Sequence, residues 1–157
     1  PGGGRPGGPG ARAGGGGEHP RIELIQNEGR GLMITGTQEW TDYRLSARVA
    51  PHMAAEAGIA VRVGGMRRFY ALLLCAGGKV RLLRCKGGEE VLAERDLAWA
   101  PDRGVLLSLE ARGDILAAGV DGEVAFEVRD GQLPRGGIAL VQTEGRTAFS
   151  EVVVGPL

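Results

Sequence analysis

The stretch Asp42-Tyr43-Arg44-Leu45-Ser46-Ala47-Arg48-Val49-Ala50 decides the fold of this chain. Tyr43, Leu45, Ala47 and Val49 fall on one side of an extended backbone, and Asp42, Arg44, Ser46 and Arg48 on the other. Side chains alternate across a strand, so a period of two describes a β-strand with one face in a core and one toward water. A helix would spread the same apolar residues around its circumference. The next apolar run repeats the pattern: Ile59, Val61 and Val63 alternate with Ala60 and Arg62.

Short apolar runs of the same kind recur to either side. Expected strands cover 22–26, 31–35, 42–50, 58–63, 68–75, 79–85, 90–95, 105–112, 114–120, 123–129, 137–142 and 147–154. Gly113-Asp114 and Asp121-Gly122 separate apolar runs as two-residue hairpin turns do, since such turns need positive φ. About a dozen short strands with close turn signals predict an all-β sandwich or barrel. A strict two-residue turn at Asp121-Gly122 places Phe126 with Ala117 rather than with Leu116 and Val120. Either both faces there are covered or the register shifts by one residue.

The segments 68–75 and 80–85 read as a central hairpin about Ala76-Gly77-Gly78-Lys79. In that register Cys75 faces Val80 and Cys85 faces Tyr70, with the thiols on opposite faces, too far apart for a disulfide. Two free thiols favour a reducing, cytoplasmic compartment. The same register turns Phe69, Leu73, Val80 and Leu82 into the core. Arg68, Tyr70, Leu72, Leu74, Arg81 and Leu83 then point away, with Arg62 on their side. An outward face mixing Tyr, Leu and Arg suits a planar or anionic ligand or a partner domain. The candidate ligand-binding residues are therefore Arg62, Arg68, Tyr70 and Arg81. The alternative is that the leucines lie under a covering loop and the arginines pair with acids.

Residues 1–17 contain ten Gly and three Pro and show no apolar period. Such a segment buries too little to offset its ordering entropy, so 1–19 is expected to be a flexible linker and 20–157 the folded domain. An Arg-Gly RNA-binding tract is disfavoured there, because it holds two arginines and no aromatic residue. The whole chain carries 19 basic and 19 acidic residues, formal net charge zero, so charge makes no case for nucleic acid or an anionic membrane as partner. No apolar run reaches the roughly 20 residues of a membrane helix.

Chemistry-bearing constellations are sparse, and no catalytic residues are assigned. Glu123 and Glu127 have the spacing of a carboxylate pair on one strand face, with Glu110 nearby, as glycoside hydrolysis requires. A solvated face is the simpler account, since no aromatic sugar platform flanks them. Glu89-Glu90 and Glu94-Arg95-Asp96 read as surface charge at turns. His19 and His52 stand alone. The candidates for a calcium site are Asp42, Asp114 and Asp121, although turn aspartates more often serve the backbone. No other cofactor is implied. Trp40 reads as a core residue at a strand entry and Trp99 as packing at a sheet edge.

One order of motifs extends over most of 22–154: Trp40-Thr41-Asp42-Tyr43, then Gly58-Ile59-Ala60-Val61-Arg62, Tyr70-Ala71-Leu72, Val120-Asp121-Gly122 and Gly136-Gly137-Ile138-Ala139-Leu140. It resembles concanavalin-like and laminin-G-like domains, which implies an all-β, two-sheet antiparallel jelly-roll sandwich. Thr35-Gly36-Thr37-Gln38-Glu39-Trp40-Thr41-Asp42-Tyr43 with Met66-Arg67-Arg68-Phe69-Tyr70-Ala71-Leu72-Leu73-Leu74 resembles the C-terminal domain appended to some bacterial ADP-ribosylglycohydrolase-family proteins. That implies a helical, metal-dependent hydrolase upstream, none of whose acidic metal-binding motifs occurs here. The expected function is a non-catalytic accessory module that binds a carbohydrate or an ADP-ribose-like ligand. The alternative is a structural domain that packs on its upstream neighbour or on a second copy of itself.

Overall fold

A computed structural model describes residues 22–35, 40–100 and 103–157. The expected linker, with His19, lies outside them. The described residues form β1 (Ile22–Thr35), β2 (Tyr43–Pro51), β3 (Glu56–Gly65), β4 (Arg68–Cys75), β5 (Lys79–Lys86), β6 (Gly88–Asp96), β7 (Val105–Arg112), β8 (Ile115–Val120), β9 (Glu123–Arg129) and β10 (Gly137–Pro156). Every pairing is antiparallel.

The architecture turns on β10. Its first part, Gly137 to Thr143, pairs with β3, and its second part, Thr147 to Pro156, pairs with β2. β1 runs along its other side from Ile138 to Phe149, and so past both parts. One layer is therefore β6-β5-β4-β3-β10-β1, and the other is β9-β8-β7-β2-β10-β1, with β10 and β1 passing from one to the other. The crossing is built at Glu144 (φ 48°) and Gly145 (φ 131°), opposite an irregularity in β1 between Gln26 and Arg30. A Cβ on Gly145 would lie 2.2 Å from the Met53 carbonyl oxygen, so only glycine fits against the β2–β3 connection. The segments 22–26 and 31–35, and likewise 137–142 and 147–154, are thus halves of single bent strands.

Between the layers lies the main core. Tyr43, Leu45, Ala47 and Val49 of β2 are fully buried, as their alternation requires, against Ile59, Val61, Tyr70, Leu72, Leu107, Leu109, Leu116 and Phe149. Burying each such leucine or phenylalanine contributes about 1.5–3 kcal/mol. Both anticipated turns form: Arg112 pairs with Ile115 across Gly113-Asp114, and Val120 with Glu123 across Asp121-Gly122. Phe126 nevertheless reaches the core. A bulge between Ala118 and Gly119 on the β8–β9 ladder sets Phe126 opposite Ala118, and leaves Val124 exposed.

The central hairpin departs from expectation by one residue. Cys75 pairs with Lys79 and Phe69 with Cys85, because Gly77 (φ 95°) and Gly78 (φ 86°) let three residues close the loop instead of four. A one-residue slip exchanges the faces of a whole strand. Tyr70, Leu72 and Leu74 consequently face the inter-layer core with Val80 and Leu82. Phe69, Ala71 and Leu73 join Leu83 on the outer face. Cys75 and Cys85 share that outer face and remain free thiols, held apart by their distance along the hairpin rather than by opposite orientations.

Candidate functional site

The four residues expected to form one ligand face are not brought together. Arg62, 1% exposed, sits in a bulge of β3 at φ 53° with its side chain inside the molecule. Its Nη2 donates to the Thr41 carbonyl at 2.7 Å and its Nη1 to the carbonyls of Gly113 at 2.6 Å and Leu133 at 3.1 Å. Its backbone N–H donates to Tyr43 Oη at 2.6 Å. Burial lowers the Arg62 pKa, partly offset by Tyr43 and Asp42. This arginine ties three connections at one pole of the sandwich, and a ligand cannot reach it without opening them. Tyr70 is also fully buried, with its hydroxyl on Asp130. Arg68 is exposed at the end of β4. Of the four, Arg81 alone lies on the outer face of the first layer.

The calcium candidates are spread across the second layer and its turns. Asp42 Oδ1 accepts the Gly113 N–H at 3.0 Å, Asp121 Oδ1 accepts the Leu106 N–H at 2.9 Å, and Asp114 pairs with Arg129 at 2.9 Å. Among the described residues no three His, Cys, Asp or Glu gather as a metal site. The bulge in β9 also separates the carboxylates of the proposed pair: Glu127 opposes Ala117 on the outer face, whereas Glu123 opposes Val120, which faces inward.

Arg81 leads instead to a set of residues that the sequence reading did not single out. On the outer face of the first layer, Ala60, Ala71, Leu73, Leu83 and Val141 make an apolar floor. Above it runs an alternating chain of charges, Glu89, Arg30, Glu56, Arg81 and Glu94. Arg30 projects from β1 and bonds Glu56 of β3, Glu89 of β6 and Thr143 Oγ1, the last at 3.1 Å. β1 and β6 are the two edges of this layer. One arginine spans them because the layer curls around its outer face into a trough. Arg81 Nε lies 2.7 Å from Glu94 Oε2, and Arg81 Nη1 3.5 Å from Glu56 Oε2.

Arg30 and Glu56 are each 18% exposed, and Glu94 and Glu89 rise to 35% and 45%, so the charged rim reaches water toward β6 while the apolar floor beneath it is covered. Burial works against the Arg30 charge, yet Glu56 and Glu89 outweigh it and raise its pKa. Cys75 and Cys85 border the floor with thiol pKa values pushed up by burial, which makes them poor nucleophiles. The acids at 89, 90, 94 and 96 are not turn residues. Glu90, Glu94 and Asp96 form a cross-strand ladder with Arg84, Arg81 and Lys79 of β5, and Glu89 pairs with Arg30 of β1. No local pattern marks Arg30, Glu56 and Glu94 as partners, since they stand on three different strands and only the tertiary fold aligns them.

Comparison with known proteins places the fold. No family model matches the chain, and no curated protein matches its sequence. Among solved structures it is similar to the carbohydrate-binding module CBM66 from Bacillus subtilis, with a TM-score of 0.76 at 15% identity over 83% of this chain and 84% of that one. A Bacillus subtilis protein of unknown function with a galectin-like fold superposes with a TM-score of 0.66 at 14% identity, over 92% of this chain and 88% of that one. The galectin LEC-6 from Caenorhabditis elegans gives 0.55 at 16% identity, over 85% of this chain and 94% of that one. The chain therefore has the concanavalin-like jelly-roll fold that its motif order implied, and it shares that fold with galectin-like structures.

Proposed function

We propose that this domain is a non-catalytic carbohydrate-binding module whose ligand sits in the trough above β3, β4, β5 and β6. The observation that carries the reading is the alternating set Arg30, Glu56, Arg81 and Glu94, together with Thr143, at the mouth of a concave sheet face. Sugar hydroxyls both donate and accept, and guanidinium–carboxylate pairs offer both functions in fixed geometry. The similarity to a carbohydrate-binding module and a galectin supports the same reading.

Charge favours a glycan over an ADP-ribose-like ligand. The outer face carries Arg30, Arg81 and Lys79 against Glu56, Glu89, Glu94 and Asp96, three cations to four anions. A pyrophosphate would meet no net positive field, whereas a neutral glycan loses nothing by that balance. The motif resemblance to a domain appended to ADP-ribosylglycohydrolase-family proteins supports an accessory role beside an enzyme domain. It does not require the ligand to be ADP-ribose.

The test is a neutral-glycan array followed by titration calorimetry on the glycans retained. Hydrogen bonds to charged groups are worth about 1.5–3 kcal/mol, so Arg81→Ala should weaken binding about tenfold or more. Silence on the array, or unchanged affinity in both Arg81→Ala and Glu94→Gln, overturns the assignment.

A further inference from the structure

The opposite outer face, that of the second layer, carries a groove that the trough reading does not use. Three clefts follow one another along β7 and β8. The first, of about 480 Å³, is lined by Trp99, Arg48, Arg103, Leu106 and Asp121. It meets the second, of about 200 Å³, at Gly122, and there Ser108, Gly119 and Val124 form the walls and floor. The third, of about 420 Å³, shares Glu110 and Ala117 with the second and ends among Arg112, Glu127 and Arg129. From Leu106 to Arg112 the floor follows β7 for about 20 Å, at 3.3–3.4 Å per strand residue.

Small residues make this groove. Ser108, Ala117 and Gly119 are the outward residues at its centre. A Cβ on Gly119 would lie 2.3 Å from Ser108 Oγ, so a larger residue there would have to displace the Ser108 hydroxyl. The walls are polar, and four of their charges are unused, although Arg48 pairs with Glu151 and Arg129 with Asp114. Arg44, Glu110, Arg112 and Glu127 make no ion pair or side-chain hydrogen bond among the described residues, in contrast to the fully paired charges of the trough. At one end Trp99 is only half-buried: it packs on the core and also lines the first cleft.

We infer that this groove is a second carbohydrate site, one that takes an internal stretch of an extended neutral polysaccharide. A floor of that length suits several consecutive sugar units rather than a single one. Free guanidinium and carboxylate groups of both signs suit hydroxyls and disfavour a polyanion. A half-exposed indole supplies an apolar ring against which a sugar face can lie. The inference stands on this groove alone and does not depend on the trough being a binding site.

Native affinity electrophoresis of the full chain through gels cast with galactomannan, arabinoxylan, mixed-linkage glucan or inulin tests it, with heparin gels as the anionic arm. At least one neutral polymer should retard the wild type, and Ala117→Arg, which fills the middle of the groove, should reduce that retardation at least tenfold. Trp99→Ala should do the same, and thermal melts identify any loss that reflects unfolding. Arg81→Ala should leave polymer retardation intact. Retardation lost only in Arg81→Ala would overturn the groove and leave the trough standing. Loss only in the groove variants is the expected result, and the trough is judged by its own titration. No retardation by any neutral polymer, or retardation by heparin alone, rejects the inference.

Discussion

The Tyr70 hydroxyl lies 2.5 Å from Asp130 Oδ1 and accepts the Leu133 N–H at 3.1 Å, so one residue of β4 holds both sides of the turn that follows β9. Arg84 of β5 pairs with the same carboxylate. A few residues away, Tyr43 Oη donates to the Gly137 carbonyl at 2.6 Å while receiving the Arg62 N–H. Two tyrosines and two arginines thus close the pole of the sandwich with buried hydrogen bonds, which are costly to break because an abandoned partner stays out of water.

Arg62 is the test of that closure. Arg62→Met removes the donor to the Thr41, Gly113 and Leu133 carbonyls at once. Urea unfolding should show a loss of about 2–4 kcal/mol, and Arg62→Lys should recover little of it, since an ammonium cannot span three carbonyls in one plane. A loss under 1 kcal/mol would mean that water replaces the guanidinium.

Two groups at this pole set the pH limits of stability. Burial and then the Asp130 hydrogen bond push the Tyr70 pKa up to about 12, above its unfolded value near 10. That contribution is complete below pH 10 and disappears as pH rises through 12. Burial also raises the Tyr43 pKa, so Tyr70→Phe should shrink the alkaline loss without abolishing it. Burial disfavours the Asp130 carboxylate, but Tyr70, the Gln132 N–H and Arg84 outweigh it and hold its pKa below the usual value. Its contribution persists above about pH 3.9 and is lost as pH falls through the lower folded value. Thermal melts from pH 2 to 12 read both limbs.

The two thiols should titrate as two free groups per chain, slowly in the native protein and rapidly in urea, with no reductant added. Both are buried with raised pKa values, and their positions on the β4–β5 hairpin lie about 20 Å apart at 3.3–3.4 Å per residue. An intramolecular disulfide on a non-reducing gel would contradict the Cys75–Lys79 register.

Gly145→Val attacks the passage of β10 between layers. It places a branched residue at φ 131° with its Cβ 2.2 Å from the Met53 oxygen. Denaturant melts should record a loss of about 2–4 kcal/mol. Gly155→Ala, with open space around its Cβ position, should be nearly neutral.

What the sequence by itself determined were the strands, the two-residue turns and the buried face of β2, because alternation across a half-wet strand has one solution. Hydrophobic pattern cannot orient β4, which is apolar at seven consecutive positions from Phe69 to Cys75 and buried on both sides. Its orientation depended on whether the Gly77-Gly78 loop spends three residues or four, a matter of backbone closure. Phe126 and Arg62 likewise owe their inward course to bulges, which shift parity without changing composition. The trough and the groove are tertiary creations: Arg30, Glu56, Arg81 and Glu94 sit on four strands, and only the curl of their layer brings them within bonding distance.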